Sequence, residues 1–270
     1  MLSDVLYIRR KRQTKQAVAI LALLLLVFTT FGHGASQWML VVARLPLLLT
    51  GSMSGWPITG GFALNIFISI ISMAAATVMG VLLGIAMMAR RGWLRRPAIL
   101  LMNFLRNAPW LVLLFSMLYL LPYHAELFGI RFDFSPVAKS IIGLSLPTAA
   151  NFAEIIRGAV QSIHAGQWES ARSLGYSHLQ IYRLVILPQA LRRIIPGWMS
   201  LYALLMISTA LATVTGVQEV VTLLRTTLAM ESESTLIYFY VAVLLMFFFY
   251  CYPIALLARR LENKTKGDAI

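Results

Sequence analysis

Few residues in this 270-residue chain can do chemistry, and they are not arranged for catalysis. The four histidines, His33, His124, His164 and His178, are scattered, and none has metal-ligand spacing to a cysteine or carboxylate. The single cysteine, Cys251, lies in an apolar run, where a thiol is inert packing. No G-x-x-x-x-G-K-[ST] segment occurs, so the chain has no loop to cradle a nucleoside triphosphate. We therefore assign no catalytic residue and no metal ligand. What remains is polarity in unexpected places. The stretch WESARSLGYSHLQIYRLVILP, residues 168–188, carries Glu169, Arg172, His178 and Arg183 between oily segments. Arg106, Asn107, Asn151, Glu154, Ser208 and Thr209 fall within or at the edges of apolar runs. Polar groups at membrane depth mark translocation pathways, so these six are candidates to line one. Against this, Arg106 can snorkel to an interface, and Glu154 can pair with Arg157 at a helix end.

The elements that must hold these residues are set by composition. The chain is 59% hydrophobic with mean hydropathy +0.78, and only 12% of residues are charged, against roughly 25% in soluble domains. Apolar runs at 16–31, 62–89, 98–121, 140–156, 197–216 and 235–258 approach or exceed the ~20 residues that cross a bilayer as helix. None has the alternation of a membrane barrel. The expectation is an all-α, polytopic bundle of about six transmembrane helices. The third run is interrupted by RNAP at 106–109, and the fourth is weakened by Pro147. The first run follows a basic start, as in a signal peptide, but its long basic tail and the five later runs favour a retained helix.

Charge then orients the bundle. Of the 23 Lys and Arg, 18 fall in the tail 1–15, the loop after the second run, the segment after the fourth and the tail 259–270. That asymmetry places both termini in the cytoplasm and explains the net charge of +13 without nucleic acid. The opposite loops are 32–61, apolar and rich in Gly and Pro, and VQEVVTLLRTTLAMESES, which reads as a packed surface helix in preference to a gate. Ser69, Ser72, Ala76, Gly80 and Gly84 form a stripe of small residues on one face of the second run.

The segment 158–193 is the ordered cytoplasmic piece. Asn151 with Glu154 has the form of a helix-start box, and 158–174 lacks proline and reads as helix. Gly175 suits a left-handed helix end. Ser177 with Gln180 makes a second start box, and Pro188 is expected to stop or kink the helix that follows, with Pro196 at the entry to the fifth run. Helix, glycine turn, short helix and proline stop make a compact knob. The physics leaves open whether it docks a soluble partner or packs on its own bundle.

Glu169-Ser170-Ala171, three residues, Gly175, nine residues and Val185-Ile186-Leu187-Pro188 resemble the EAA motif of ABC importer permeases. Ser170 and Val185 depart from the motif conservatively. AEIIRGAVQSIHAGQWESARSLG, VILPQALRRIIPGW and RNAPWLVLLF resemble the polar amino acid uptake branch, which takes in histidine, glutamate, glutamine and arginine permeases. The likeness covers 62–258. It implies a five-helix permease core at 62–258, preceded by an extra helix and outer loop at 16–61, and a coupling-helix pair at 158–193. Gly166, Gln167, Glu169, Ser170, Ala171, Gly175, Leu187 and Pro188 would form the ATPase-coupling surface. The implied partners are two ATPase subunits, a second permease that is identical or homologous, an extracytoplasmic substrate-binding protein, membrane lipid and an amino-acid substrate. No cofactor is bound by this chain; ATP and Mg belong to the partner ATPase, so the chain is a transport subunit and not an enzyme. The implied location is the bacterial inner membrane. Where the family often has K-D-T-S-L, this chain has Ile207-Ser208-Thr209-Ala210-Leu211. Losing both members of a charge pair together is near neutral for stability but removes that pair from any gating role. A permease for another small solute is the alternative. So is an ATP-independent secondary transporter, which needs ion sites in broken helices. A scaffold without transport fits the ordered knob least.

The charge asymmetry predicts that single cysteines at Arg95 and Gln180, in a Cys251→Ala background, resist an impermeant thiol reagent applied outside intact cells. Cysteines at Ser36 and Ser232 should react. Labelling at Arg95 or Gln180 would overturn the orientation.

Overall fold

A computed structural model describes residues 34–267 apart from 128 and 129. The expected span 16–31 and the basic tail 1–15 lie outside the described residues. The elements are α1 (Gly34–Thr50), α2 (Gly61–Met87), α3 (Gly92–Asn107), α4 (Trp110–Leu120), α5 (Pro136–Gln161), α6 (Ala165–Ser173), α7 (His178–Thr215), α8 (Val220–Leu228) and α9 (Leu236–Gly267). A small antiparallel hairpin, β1 (His124–Leu127) and β2 (Ile130–Asp133), joins α4 to α5. By length and composition α2, α7 and α9 can each cross a bilayer, and α3 with α4 is long and apolar enough only as a sharply bent pair.

The centre of the bundle is α5. Ser135 caps it, its hydroxyl accepting from the Ala138 N–H at 3.2 Å, with Pro136 in the first turn. Its 26 residues make a rod about 39 Å long. It packs against α2, α3, α4 and α7, so little of it faces lipid. That is why it tolerates serine and threonine: Thr148 donates to Leu144 O at 2.6 Å and Ser140 pairs with Thr215 at 2.7 Å. Pro147 does not end it, and Asn151 turns its amide onto Pro147 O at 2.8 Å. The expected helix start at Asn151–Glu154 is therefore wrong; both lie in mid-helix. The expected continuous helix 158–174 is instead broken at 162–164, between α5 and α6.

The stripe on α2 explains how α5 gets so close. Ser69, Ser72, Ala76, Gly80 and Gly84 are all buried. A Cβ added to Gly80 would lie 2.9 Å from Ala149 O and 2.9 Å from Phe152 Cδ1. The packed neighbour thus belongs to this chain.

Two prolines behave differently from each other. At Pro109 the third run breaks, and α3 and α4 meet at 103°. A residue before proline is pushed out of helical geometry, and Ala108 is extended, with ψ 136°. At 11 residues, or about 16 Å, α4 is too short to cross alone. Pro188, by contrast, stops nothing. The helix begun at His178 passes through Pro188 and Pro196. Just before Pro188 it widens into a π turn, Ile181–Ile186, where the Leu187 N–H donates to Tyr182 O. Gln189 Nε2 donates to Val185 O at 2.9 Å in the same turn. Shifting the ladder by one residue accommodates a residue that lacks an N–H.

The loop 32–61 is not mere connection. Within it α1 packs on α2, α8 and α9, burying Val41 and Leu48 against Phe62, Val220 and Phe239. Arg44 pairs with Glu231 at 3.0 Å.

Gly80→Val should weaken the α2–α5 seam by roughly 1–3 kcal/mol. Gly84→Ala, whose Cβ would meet Ile156 Cγ2 at an ordinary 3.4 Å, should be tolerated. Thermal unfolding in detergent distinguishes the two; equal midpoints would refute the close approach.

Candidate functional site

The knob is built by local rules. The His164 ring accepts from the Gly166 N–H at 3.1 Å, capping α6. α6 ends in a doubled turn: the Tyr176 N–H donates to Ala171 O at 3.2 Å and the Gly175 N–H to Arg172 O at 2.9 Å. This is the Schellman arrangement, which needs positive φ at the residue after the cap. Gly175 supplies φ 78°. Ser177 and Gln180 then form the reciprocal start box expected, with Ser177 N–H to Gln180 Oε1 at 2.8 Å.

Its inner side is apolar and fixed. Ala171, Ile181 and Ile186 are buried, and Trp168 meets Tyr182 edge to face at 5.1 Å. Gln189 Nε2 donates to Gln167 Oε1 at 3.1 Å, tying α6 to α7, and Arg193 Nη1 to Ser162 O at 2.8 Å, tying the end of α5 to α7. Its outer side is uncovered. Glu169, Ser170, Gly175, Leu187 and Pro188 are exposed. Beside them Leu174 and Leu179 are 73% and 77% exposed. Glu169, Arg172 and Arg183 are exposed as well, so the outer side mixes open apolar and charged side chains. Gly166 is half-buried and Gln167 points its amide at α7. Ala171 faces inward, so its part in the motif is packing.

The six pathway candidates do not converge. Glu154 takes two hydrogen bonds from Arg157, at 2.8 and 2.6 Å, and lies 3.8 Å from Arg106. That network joins α3 to α5. Asn107, Asn151 and Ser208 each donate back to their own helix, to Asn103 O, Pro147 O and Leu204 O. Thr209 lies elsewhere, in a cluster the sequence reading missed. Asn65 Nδ2 donates to Thr209 Oγ1 at 3.0 Å and to Glu219 Oε2 at 3.1 Å, while Asn65 Oδ1 accepts from the Val220 N–H at 3.1 Å. Glu219 also accepts from the Val221 and Thr222 N–H groups at 2.9 and 2.7 Å, capping α8. All three side chains are fully buried. Burial pushes the Glu219 carboxyl above its ordinary range, against the pull of the hydrogen bonds it accepts. Asn65 was legible as a lone amide in an apolar run; Glu219 read as part of a packed surface helix. Lys139 was also missed. It is fully buried at the head of α5, with Nζ donating to Leu118 O at 3.1 Å and lying 3.8 Å from the Tyr123 ring centroid.

Comparison with known proteins adds to this geometry. Residues 76–267 match the family described as binding-protein-dependent transport system inner membrane component. The match runs from mid-α2 to the end of α9 and encloses the knob. The probable amino-acid ABC transporter permease protein YckA of Bacillus subtilis (strain 168) is 43% identical over 136 residues, which are 50% of this chain and 58% of YckA. The probable glutamine ABC transporter permease protein GlnP of the same strain is 30% identical over 203 residues, covering 75% of this chain and 90% of GlnP. Among solved structures, an amino acid ABC transporter crystallised with histidines superposes with TM-score 0.67 at 22% identity, over 82% of this chain and 97% of that one. At that identity the likeness speaks for the fold.

Removing the Glu219 carboxylate would strand the Asn65 amide and two N–H groups where water is excluded. Glu219→Ala should destabilise the fold by about 1–3 kcal/mol, and Glu219→Gln by less, since it keeps one acceptor. The unfolding midpoint in detergent reads this; an unchanged midpoint for Glu219→Ala would show the cluster to be idle.

Proposed function

From the premise that the chain belongs to the family of binding-protein-dependent transport system inner membrane components, we propose that it is the permease subunit of an ATP-driven importer of a polar amino acid. The observation that carries the reading is the knob: rigid on its inner side, uncovered and partly apolar on its outer side. A rigid, uncovered projection suits a cleft in a separate protein. In this reading that protein is an ATPase, two copies of which bind ATP and Mg and hydrolyse it. An extracytoplasmic binding protein delivers the solute, and a second permease, identical or homologous, completes the pathway. The chain sits in a bacterial inner membrane with both termini and the knob in the cytoplasm. Residues 62–258 are its permease domain.

Glu169, Ser170, Gly175, Leu187 and Pro188 face the ATPase, and Gly166, Gln167 and Ala171 hold that face in place. Amino acids as cargo are supported by the likeness to YckA, named a probable amino-acid permease, and GlnP, named a probable glutamine permease. The Arg106–Glu154–Arg157 network reads as a brace between helices at the cytoplasmic end, not as a pathway lining.

The test uses Gly175, where a Cβ would meet nothing within 4 Å. Only backbone geometry is then at stake. Gly175→Val forces a β-branched residue to positive φ at a cost of about 1–3 kcal/mol; Gly175→Asn fits that region far better. Gly175→Val and Glu169→Lys should reach the membrane in normal amount, retain little ATPase on co-purification and lose ATP-dependent uptake. Gly175→Asn should keep most of both. Wild-type uptake by Gly175→Val and Glu169→Lys would refute the docking role. Uptake driven by an ion gradient without ATP would support a secondary transporter instead.

A further inference from the structure

Beside the knob a cavity of about 310 Å³ opens where the end of α2, α3, α5, α6 and the π turn of α7 meet. That size lies at the lower end of ligand pockets, which run from ~300 to 1,000 Å³. Its walls divide chemically. Met87 and Met88, Trp168 and Tyr182 are apolar or aromatic, whereas Arg95 and Arg157 bring two guanidinium groups.

The local charge is not balanced. Residues 88–107 contain five arginines and no carboxylate. Glu154 contacts this end, and Arg106 and Arg157 already share it. Arg157 spends three N–H groups on Glu154 and on Gln161, which leaves two of its five donors. Arg95 has no carboxylate partner among the described residues.

The position of Arg95 follows from α3. Trp93, Leu100 and Phe104 share one helix face and are 71%, 73% and 66% exposed. Ala98 and Met102 are buried on the other. A helix with an aromatic-apolar outer face and arginines beside it lies along a membrane interface. Arg95 is on the same face as Met102, two turns away, so it lines the cavity, and Arg96 does not.

We propose that this cavity binds the phosphate-bearing headgroup of an anionic phospholipid. Arg95 and the free donors of Arg157 pair with the phosphate, and the methionines and the outer face of α3 lead its acyl chains into the bilayer. Guanidinium groups suit phosphate by charge and by fork geometry, and basic pockets between membrane helices on the cytoplasmic side take anionic headgroups. Free phosphate shares the charge but has no use for the apolar walls. Trp168 and Tyr182 belong to the two helices of the knob, so a bound lipid bridges α3 to it. Only the cytoplasmic placement rests on the reading above, and the test measures lipid rather than transport, so the two can fail separately.

The full chain, in the assembly it forms in the membrane, is placed in nanodiscs of phosphatidylcholine with a minor fraction of phosphatidylglycerol. Lipid retained after ejection from the disc is counted by native mass spectrometry. Wild type should retain phosphatidylglycerol selectively. Arg95→Gln should lower that retention about fivefold, and Arg96→Gln, with the same net charge, should not. Equal retention by Arg95→Gln and wild type, or equal loss in Arg96→Gln, would overturn the site. Excess inorganic phosphate should leave the lipid in place; displacement of the lipid would assign the cavity to a free anion.

Discussion

The seam between α2 and α5 is the contact on which the other helices depend. In a bilayer no hydrophobic drive pulls helices together, so association rests on close packing and on satisfied polar groups. Gly80 lets the backbone of Ala149 approach to a distance that any side chain would forbid. Once α5 is held there, it offers its remaining faces to α3, α4 and α7. Gly143 repeats the device toward α4, where a Cβ would lie 2.9 Å from Leu114 Cδ2. The bundle is therefore organised around its least lipid-like helix, and α9 and α1 are added outside it through α7 and α2.

Polar satisfaction is the second constraint, and it operates at the places where helices are irregular. The chain has prolines inside α1, α3, α5, α7 and α9. Beside two prolines a side-chain amide adds a hydrogen bond to a nearby carbonyl: Asn151 to that of Pro147, and Gln189 to that of Val185 near Pro188. The Asn65–Thr209–Glu219 cluster does the same at a larger scale. It closes the donors at the start of α8 and links them to α2 and α7. Each of its members has a partner, which is the condition for a buried polar network to stabilise rather than cost.

What the sequence disclosed was local. Gly175, Ser177 and Gln180 could be placed because caps and left-handed turns are decided within six residues. The stripe on α2 was legible because helical periodicity puts Ser69, Ser72, Ala76, Gly80 and Gly84 on one face. What it hid was either long-range or a matter of bonding register. Asn65 and Glu219 are 154 residues apart, and neither declares the other. The rank of α5 was hidden because hydropathy reports contact with lipid, and a helix wrapped by others can carry serine and threonine. Pro188 was misread because the stop rule assumes an unbroken α ladder, and a π turn evades it. Pro109 obeyed the rule, and the difference lies in what precedes each: an extended Ala108 in one case and a widened turn in the other.

The continuity of α7 gives these details a common consequence. One hydrogen-bonded rod runs from the Ser177 cap to the left-handed Gly216, which closes its 3-10 end. Its two irregular turns lie at its ends. The π turn is where the knob attaches, through Tyr182 and Gln189; the 3-10 turn is where Thr209 meets Asn65. Between them the chain stays α-helical through Pro188 and Pro196 and packs on α5 and α9. A packed regular helix moves as a body, because altering its length or twist breaks several backbone bonds at once. Irregular turns exchange bonding partners at lower cost. The two ends, one beside the uncovered face of the knob and the other beside Asn65 and Glu219, are therefore where α7 can exchange backbone partners most readily.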